Sequence, residues 1–333
     1  MHTLSERVAG RVILATAPLR GPGLDALRAL GEVVLDPWID HRPLRLYDAD
    51  GLAARIAEVG ATVVICEADR CAGPVLDLPL EAIGSTRGDP TNVDVAGATA
   101  AGIPVLRAPG RNADGVAELT VALLLAATRG VVAADRDVRQ GLLYRDGSIP
   151  YQRFRAWQLA GRTAGLVGLG AVGRATRWRL AGLGMRVIAA DPYADDATHG
   201  LDELLAEADV VSMHAAVTPD TVGLMSAERF ARMRPGAVYV NAARAALHDL
   251  DALTAALRSG HLAAAALDHF EGEHLDVGHP LAAMDNVVLT PHIGGATYDT
   301  ETTHTALVAD GLAALLRGEV PANLANPEVL TRA

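Results

Sequence analysis

Lysine is absent from this chain: all 29 basic residues among its 333 are arginine. The absence excludes chemistry that needs an amine side chain, such as Schiff-base aldolases, pyridoxal phosphate enzymes and nucleotide hydrolases with a P-loop lysine. Any anion held here by a charged side chain must therefore be held by arginine or histidine. Arginine is well suited to carboxylates because its paired donors match the two carboxylate oxygens.

Cysteine, basic runs and long apolar runs are also scarce. The only cysteines, Cys66 and Cys71, exclude a disulfide framework, fit no metal motif and predict buried thiols, so we expect no metal site. A formal net charge of −11 without a basic cluster disfavours nucleic acid as a partner. No apolar stretch approaches the roughly 18 residues that span a membrane, and the N-terminus lacks a signal-peptide core. We expect a cytoplasmic protein that binds neither membrane nor nucleic acid.

Short apolar runs alternate with amphipathic helical patterns along the whole chain. This pattern is typical of parallel strands covered by helices on both faces. Eleven strands exceed one ordinary sheet, so we predict an α/β protein with two doubly wound parallel-sheet domains. The segment 112–141 predicts one long helix that links them, with Asn112 as its N-cap. The predicted strands are 11–17, 32–35, 61–66, 82–85, 103–108, 163–168, 186–191, 210–215, 237–242, 264–270 and 286–290.

The sequence "LVGLGAVG" at 166–173 contains a Gly-x-Gly-x-x-Gly motif formed by Gly168, Gly170 and Gly173. The motif alone is weak evidence in a chain with 33 glycines, but here a predicted strand precedes it and a helix follows it. In that context it indicates dinucleotide binding, with the pyrophosphate at the helix N-terminus. Asp191 ends the next strand, where a carboxylate binds the adenine ribose and repels a 2′-phosphate. The cofactor is therefore predicted to be NAD.

Four segments resemble the D-isomer-specific 2-hydroxyacid dehydrogenases, which include D-3-phosphoglycerate, D-lactate, glyoxylate/hydroxypyruvate and formate dehydrogenases. They are "NVDVAGATAAGIPVLRAPGRNADGVAELTVALLLAATR", "VGLGAVGRATRWRLAGLGMRVIAADPY", "ADVVSMHAAVTPDTVGLMSAERFARMRPGAVYVNAARAAL" and "NVVLTPHIGGAT". The resemblance implies a flavodoxin-like substrate domain (1–110 plus 298–333) and a Rossmann NAD-binding domain (111–297). It further implies an active site in the cleft between them and a homodimer.

Hydride transfer at C2 of a 2-hydroxy acid requires a group that holds the carboxylate and a group that moves a proton at the C2 oxygen. Guanidinium suits the first task, and imidazole with a carboxylate on its far nitrogen suits the second. The resemblance assigns the carboxylate to Arg244, the proton to His292 and the supporting carboxylate to Glu273. Each follows a predicted strand at its C-terminal end, where open α/β sheets bind ligands.

The resemblance also assigns further contacts. Asp268 is expected to recognise the nicotinamide carboxamide, and the full cofactor set is Gly168, Gly170, Ala171, Val172, Gly173, Asp191, Ala215, Ala242, Asp268 and Gly294. The substrate set is Arg87, Gly88, Asn112 and Arg244. Arg87 is the only cation in the loop 85–94 and is our candidate for a second substrate anion, with Arg111 as the next. The alternative is that Arg87 pairs with Asp89 or Asp94.

Several positions depart from the family pattern. His269 stands where valine is usual and His274 where proline is usual, and Cys66 and Glu67 replace a segment that often carries arginine. These departures leave the identity of the 2-hydroxy acid open. D-3-phosphoglycerate dehydrogenase and a non-catalytic NAD-binding co-regulator remain alternatives. Formate dehydrogenase is disfavoured because it usually has glutamine where this chain has Glu273.

Overall fold

A computed structural model describes residues 10–331 and contains two parallel β-sheets with helices packed against them. The strands are β1 (Val12–Ala15), β2 (Glu32–Leu35), β3 (Val63–Cys66), β4 (Ala82–Ser85), β5 (Val105–Leu106), β6 (Thr163–Val167), β7 (Arg186–Ala190), β8 (Val210–Met213), β9 (Ala237–Asn241), β10 (Leu262–Leu267) and β11 (Val287–Leu289). The helices are α1 (Pro22–Leu30), α2 (Ala49–Val59), α3 (Val95–Ala100), α4 (Ala113–Arg129), α5 (Val131–Arg139), α6 (Pro150–Arg153), α7 (Ala171–Gly182), α8 (Leu201–Glu207), α9 (Ala227–Arg232), α10 (Leu250–Arg258) and α11 (Tyr298–Leu316).

The chain divides into two compact units, Met1–Arg111 with Thr297–Ala333, and Asn112–Ala296. In the first, the strand order is β2-β1-β3-β4-β5, which is the flavodoxin-like order. In the second, the order is β11-β10-β9-β8-β6-β7. All strand pairings in both sheets are parallel. The prediction of two doubly wound parallel-sheet domains is confirmed.

The switch point of the second sheet lies between β6 and β8. After β6 the chain adds β7 on one side of it, and then crosses back to add β8 on the other side. A crevice at the carboxyl ends of the strands forms at such a point in open α/β sheets. The glycine motif follows β6, and His214 and Ala215 follow β8. The sheet order therefore places the motif at the edge where a ligand is expected.

Burial explains why the strand positions were readable from the sequence. The central strands β3, β6, β8 and β9 are buried along their whole length, so they appear as continuous apolar runs.

The predicted end of β10 was too late. The prediction for β10 ran to residue 270, whereas the strand ends at Leu267. Asp268 follows the strand, and its buried carboxylate accepts hydrogen bonds from the backbone of the loop after β11.

The single long helix predicted over 112–141 is wrong. The chain forms α4 and α5, which are bent by 65° to each other. Gly130 lies between them with φ 60°, and its N–H bonds to the carbonyls of Ala126 and Ala127, which is a glycine helix stop. Asn112 occupies the N-cap position, but within the described chain its side chain makes no capping hydrogen bond.

Among residues 10–331, no single helix has the length and apolar character needed to cross a membrane. Only α4 and α5 taken together, as a bent pair, satisfy those criteria of length and composition.

Candidate active site

The three motif glycines serve different purposes in the loop after β6 and the first turn of α7. Gly168 has φ +102°, and a Cβ there would lie 2.6 Å from the backbone nitrogen of Ala215. A Cβ on Gly173 would lie 2.2 Å from the carbonyl oxygen of Gly168. A Cβ on Gly170, in contrast, would meet nothing within 4 Å. The first and third glycines permit close backbone packing, whereas the second leaves free space beside the loop.

The open side of this loop is suited to a pyrophosphate. Ala171 and Val172 form the first turn of α7, where backbone N–H groups have no acceptor within the helix and carry the positive end of its dipole. Gly170 leaves the space in front of them clear. The residues present therefore fit the phosphates of a dinucleotide.

Asp191 lies beside the same loop, directly after β7. One carboxylate oxygen accepts a hydrogen bond from the backbone N–H of Leu169 (2.7 Å), and the other accepts from that of Tyr193 (2.9 Å). The carboxylate is thus fixed against the glycine loop. Its negative charge opposes a phosphate group at this position.

Glu273 and His292 are hydrogen-bonded to each other. His292 Nδ1 lies 2.7 Å from Glu273 Oε1, and both side chains are largely exposed to solvent. Both residues have φ 55°, in the left-handed region that residues other than glycine rarely adopt. Such strain costs about 1–3 kcal/mol per residue and often marks a functional site. The two turns that follow β10 and β11 therefore bring the predicted pair together.

Asp268 holds the loop that carries His292. Its buried carboxylate accepts hydrogen bonds from Thr290 Oγ1 (2.6 Å) and from the backbone N–H groups of Ile293 (2.9 Å) and Gly294 (2.8 Å). Its own backbone carbonyl accepts from the N–H of His292 (2.8 Å). The residue that the resemblance assigned to the nicotinamide thus also positions the histidine.

Asn112 approaches the end of the same loop. A Cβ on Gly295 would lie 3.1 Å from Asn112 Nδ2, so the amide is packed directly against the backbone of that glycine. The absence of a side chain at Gly295 is what admits the asparagine here.

Arg244 follows β9 in a turn that is fastened by Asn241. The buried Asn241 amide accepts a hydrogen bond from the N–H of Ala243 (2.9 Å) and donates to the carbonyl of Arg244 (2.8 Å). Its Nδ2 also lies 2.8 Å from His248 Nδ1. Burial lowers the pKa of His248 to about 4, so the neutral ring accepts this bond. The exposed guanidinium of Arg244 donates to the carbonyl of Ala243 at 2.6 Å.

Asn241 was not among the predicted site residues. A signal for it was present, since a polar amide ends the apolar run "AVYVN" at the carboxyl end of a strand. Ala242, which the resemblance assigned to the cofactor, is buried in the same turn.

His269, one of the departures from the family pattern, lies inside the site. The residue is 5% exposed, and its ring centroid lies 3.7 Å from that of His292 with an interplanar angle of 49°. Burial, and then the neighbouring His292 and Arg244, lower its pKa to about 4. His274, the second histidine among these departures, is exposed.

In the first unit, Arg87 follows β4 and its backbone is well anchored. Its N–H donates to Ser85 Oγ (3.3 Å), and its carbonyl accepts from the N–H of Ala108 (2.8 Å), beside which Gly88 also packs. Within residues 10–331 no ion pair joins Arg87 to Asp89 or Asp94, and the Asp94 carboxylate caps α3 by accepting from the N–H of Gly97. The stiffening salt bridge is thus not seen in the described part of the chain, and the role of Arg87 stays a prediction.

Arg111 is already engaged by other groups. It forms an ion pair with Glu67 (2.5 Å), and its NH1 lies 2.9 Å from His304 Nδ1. Because both partners of the ion pair are mostly buried, the charge of Arg111 is largely neutralised within its own unit. This weighs against Arg111 as a site for a second substrate anion.

Comparison with known proteins agrees with this geometry. The family described as "D-isomer specific 2-hydroxyacid dehydrogenase, NAD binding domain" matches residues 121–294. A glyoxylate reductase of Thermofilum pendens is 36% identical over 96% of this chain and 95% of its own length. A D-3-phosphoglycerate dehydrogenase of Methanocaldococcus jannaschii is 34% identical over 94% of this chain, which spans 59% of the longer relative.

Among solved structures, the TT0316 protein of Thermus thermophilus is 36% identical with a TM-score of 0.80. The similarity covers 94% of this chain and 99% of that one. The chain therefore belongs to the D-isomer specific 2-hydroxyacid dehydrogenases, which are NAD-dependent oxidoreductases acting on 2-hydroxy and 2-keto acids.

Proposed function

We propose that this enzyme reduces a small 2-keto acid to the D-2-hydroxy acid, and catalyses the reverse oxidation, using Arg244, Glu273 and His292. The observation that carries the proposal is the 2.7 Å contact between His292 Nδ1 and Glu273 Oε1, at the edge of the sheet where Arg244 also emerges. When bound, NAD supplies or accepts the hydride at its nicotinamide ring.

The contact between the two side chains determines which nitrogen exchanges the proton. An ionised carboxylate only accepts hydrogen bonds, so Nδ1 of His292 carries a hydrogen directed at Glu273. Nε2 is then the atom that gives a proton to the C2 oxygen during reduction and takes it back during oxidation. Glu273 keeps the ring in this tautomer and stabilises its charged form.

Arg244 holds the substrate carboxylate. Its guanidinium is permanently charged and exposed at the end of β9, and its paired donors match the two carboxylate oxygens. Asn241 fixes the turn on which it stands.

For the substrate we favour a small monoanion such as glyoxylate. A glyoxylate reductase is among the similar proteins, with 36% identity over 96% of this chain. A second candidate is a substrate with another anionic group, such as a phosphorylated 2-keto acid. It is supported by Arg87, the only cation in the loop 85–94.

The test is NADH oxidation by a panel of unphosphorylated and phosphorylated 2-keto acids. Arg244→Ala should lower kcat/KM by about 100-fold or more for each active substrate, while Arg258→Ala, an exposed arginine of α10, should have no effect. Absence of turnover with every acid, together with tight NADH binding, would favour the non-catalytic co-regulator instead.

Arg87→Ala separates the two substrate classes. If Arg87 binds a second anion, the variant should lose about 2 kcal/mol of transition-state binding, about 30-fold in kcat/KM, on phosphorylated acids. Glyoxylate turnover should be nearly unchanged. Equal losses on both classes would make the arginine structural and remove the support for the second candidate.

We also propose that the enzyme is a homodimer formed through its NAD-binding unit. The segment 131–157 exposes several large apolar side chains, namely Val132, Val138, Tyr144, Tyr151 and Trp157. Large exposed apolar groups in close sequence are typical of subunit interfaces. Light scattering should give the dimer mass for the wild type and a lower mass for Trp157→Asp. A monomeric wild type would contradict the proposal.

A further inference from the structure

We propose that His269, Glu273 and His292 form a binding site for a divalent transition-metal ion of the Zn²⁺ type, and that occupation of this site switches the enzyme off. The inhibitory part rests on the proposed function, because it requires His292 to transfer the proton. The binding part stands on geometry alone.

The three side chains already converge on one point. Each offers a nitrogen or a carboxylate oxygen, and the three atoms lie within 4.8 Å of one another. Ligand atoms of a tetrahedral zinc site, with bonds of about 2.0–2.1 Å, are about 3.3 Å apart. The cluster therefore needs to close by about 1.5 Å or less. Glu273 and His292 are exposed and already in mutual contact, so they can make this adjustment.

The backbone holds the ligands in place without a metal. His269 is buried and continues directly from Asp268, whose carboxylate fastens the loop of His292. The rings of His269 and His292 are packed against each other. One ligand is thus rigid and two face solvent, which leaves coordination positions open to water or to a 2-keto acid.

The donor set selects the class of ion. Two imidazoles and one carboxylate suit Zn²⁺, Co²⁺ and Ni²⁺, whereas Mg²⁺ and Ca²⁺ prefer ligand sets made of oxygen.

Inhibition follows from what the ion occupies. A metal bound to His292 uses a nitrogen lone pair and displaces the hydrogen bond to Glu273, so the imidazole no longer exchanges a proton as the reaction needs. Because no residue of the glycine loop takes part, NADH binding should persist.

The experiment titrates the metal-free protein with Zn²⁺ by calorimetry and with Co²⁺ by visible absorption. His269→Val removes one ligand and should weaken binding by more than about 100-fold, since even the loss of an outer partner of a ligand costs 10–100-fold. Glu273→Gln, at an exposed position, gives a second reading if His269→Val fails to fold. The neighbouring exposed histidine provides the matched control His274→Val, which should bind as the wild type does.

Activity is measured separately, as the fraction of each variant's own metal-free rate. Zn²⁺ should inhibit the wild type and His274→Val competitively against the keto acid, and should inhibit His269→Val only at concentrations about 100-fold higher. Wild-type binding no tighter than that of His269→Val would overturn the site. Tight binding without loss of turnover would overturn the switch. A wild type that reduces no keto acid would instead refute the proposed function, while the titrations would still decide the metal site.

Discussion

At the scale of single residues, Glu273 and His292 show how much of the site could be predicted. Their roles were assigned by the resemblance of the surrounding segments to a known family, and the 2.7 Å contact agrees with that assignment. For Asn241 the sequence showed only a polar amide at the end of an apolar strand, because its three partners meet only when the turn after β9 folds back on itself. The contact between His269 and His292 was equally hidden, since these residues lie on different turns.

Asp191 carries the prediction on cofactor choice. Asp191→Asn removes the negative charge but keeps an amide oxygen that accepts from the backbone of the glycine loop. Wild-type enzyme should favour NADH over NADPH by well over tenfold in kcat/KM, and the variant should reduce that ratio by about tenfold, or about 1.4 kcal/mol. Steady-state kinetics with both cofactors checks this. An unchanged ratio would mean that the discrimination lies elsewhere.

At the scale of elements, the strands were predicted but the break between α4 and α5 was missed. Near-continuous apolar runs mark the buried strands, whereas the apolar periodicity of 112–141 continues through Gly130 and hides the helix stop. The sequence did contain the signal, since Arg129 followed by glycine is a common helix ending. The prediction relied on the length and apolar periodicity of the segment, although the backbone conformation of Gly130 alone ends the first helix.

The glycine loop allows its structural and binding roles to be separated. Gly173→Ala places a Cβ 2.2 Å from the carbonyl oxygen of Gly168. The free energy of unfolding should therefore fall by about 2–4 kcal/mol. Gly170→Ala meets no atom within 4 Å and should fold normally, yet weaken NADH binding because the methyl group points into the open side of the loop. Urea unfolding and NADH fluorescence titration measure the two effects. The reverse pattern would contradict the assignment.

The turn after β9 gives a second prediction at this scale. Asn241→Ala leaves the Ala243 N–H and the Arg244 carbonyl without their amide partner, so the arginine should lose its fixed position. KM for the keto acid should rise about tenfold or more while NADH affinity stays constant. The control is Asn286→Ala, which removes a hydrogen bond from the Asn286 side-chain amide to the carbonyl of Ala263 in the same unit. This variant should leave KM unchanged. A parallel loss of NADH binding would show a general structural defect instead.

At the scale of the whole molecule, buried histidines determine the response to acid. Burial lowers the pKa of His248 from 6.5 to about 4, so between these values the unfolded chain binds more protons than the folded one. Stability therefore falls as the pH drops from 6.5 towards 4, by about 3 kcal/mol for this residue. Burial lowers the pKa of His214 to about 4, and its effect has the same sign.

Asp36 acts in a different pH window. Burial alone would raise its pKa, but hydrogen bonds from Tyr47, His41 and Arg45 lower it from 3.8 to about 2. Its contribution to stability is complete above pH 3.8 and is lost only as the pH falls through about 2.

Urea unfolding of wild type and His248→Gln between pH 7 and 4 tests the contribution of His248. The free energy of unfolding should decline less steeply with falling pH in the variant, because the histidine with the lowered pKa is gone. Parallel curves would contradict the role of His248.

The central claim is that His292, held by Glu273, exchanges the proton with the C2 oxygen of a 2-keto acid. The most direct measurement is the single-turnover rate of NADH oxidation by an active keto acid, followed against pH for wild type, Glu273→Gln and His292→Ala. We predict a loss of about 10²–10⁴-fold for His292→Ala with NADH binding intact. For Glu273→Gln the pH midpoint of reduction should move downwards, because the charged ring loses its carboxylate partner. A His292→Ala rate close to that of the wild type, or an unchanged pH profile in Glu273→Gln, would contradict the account.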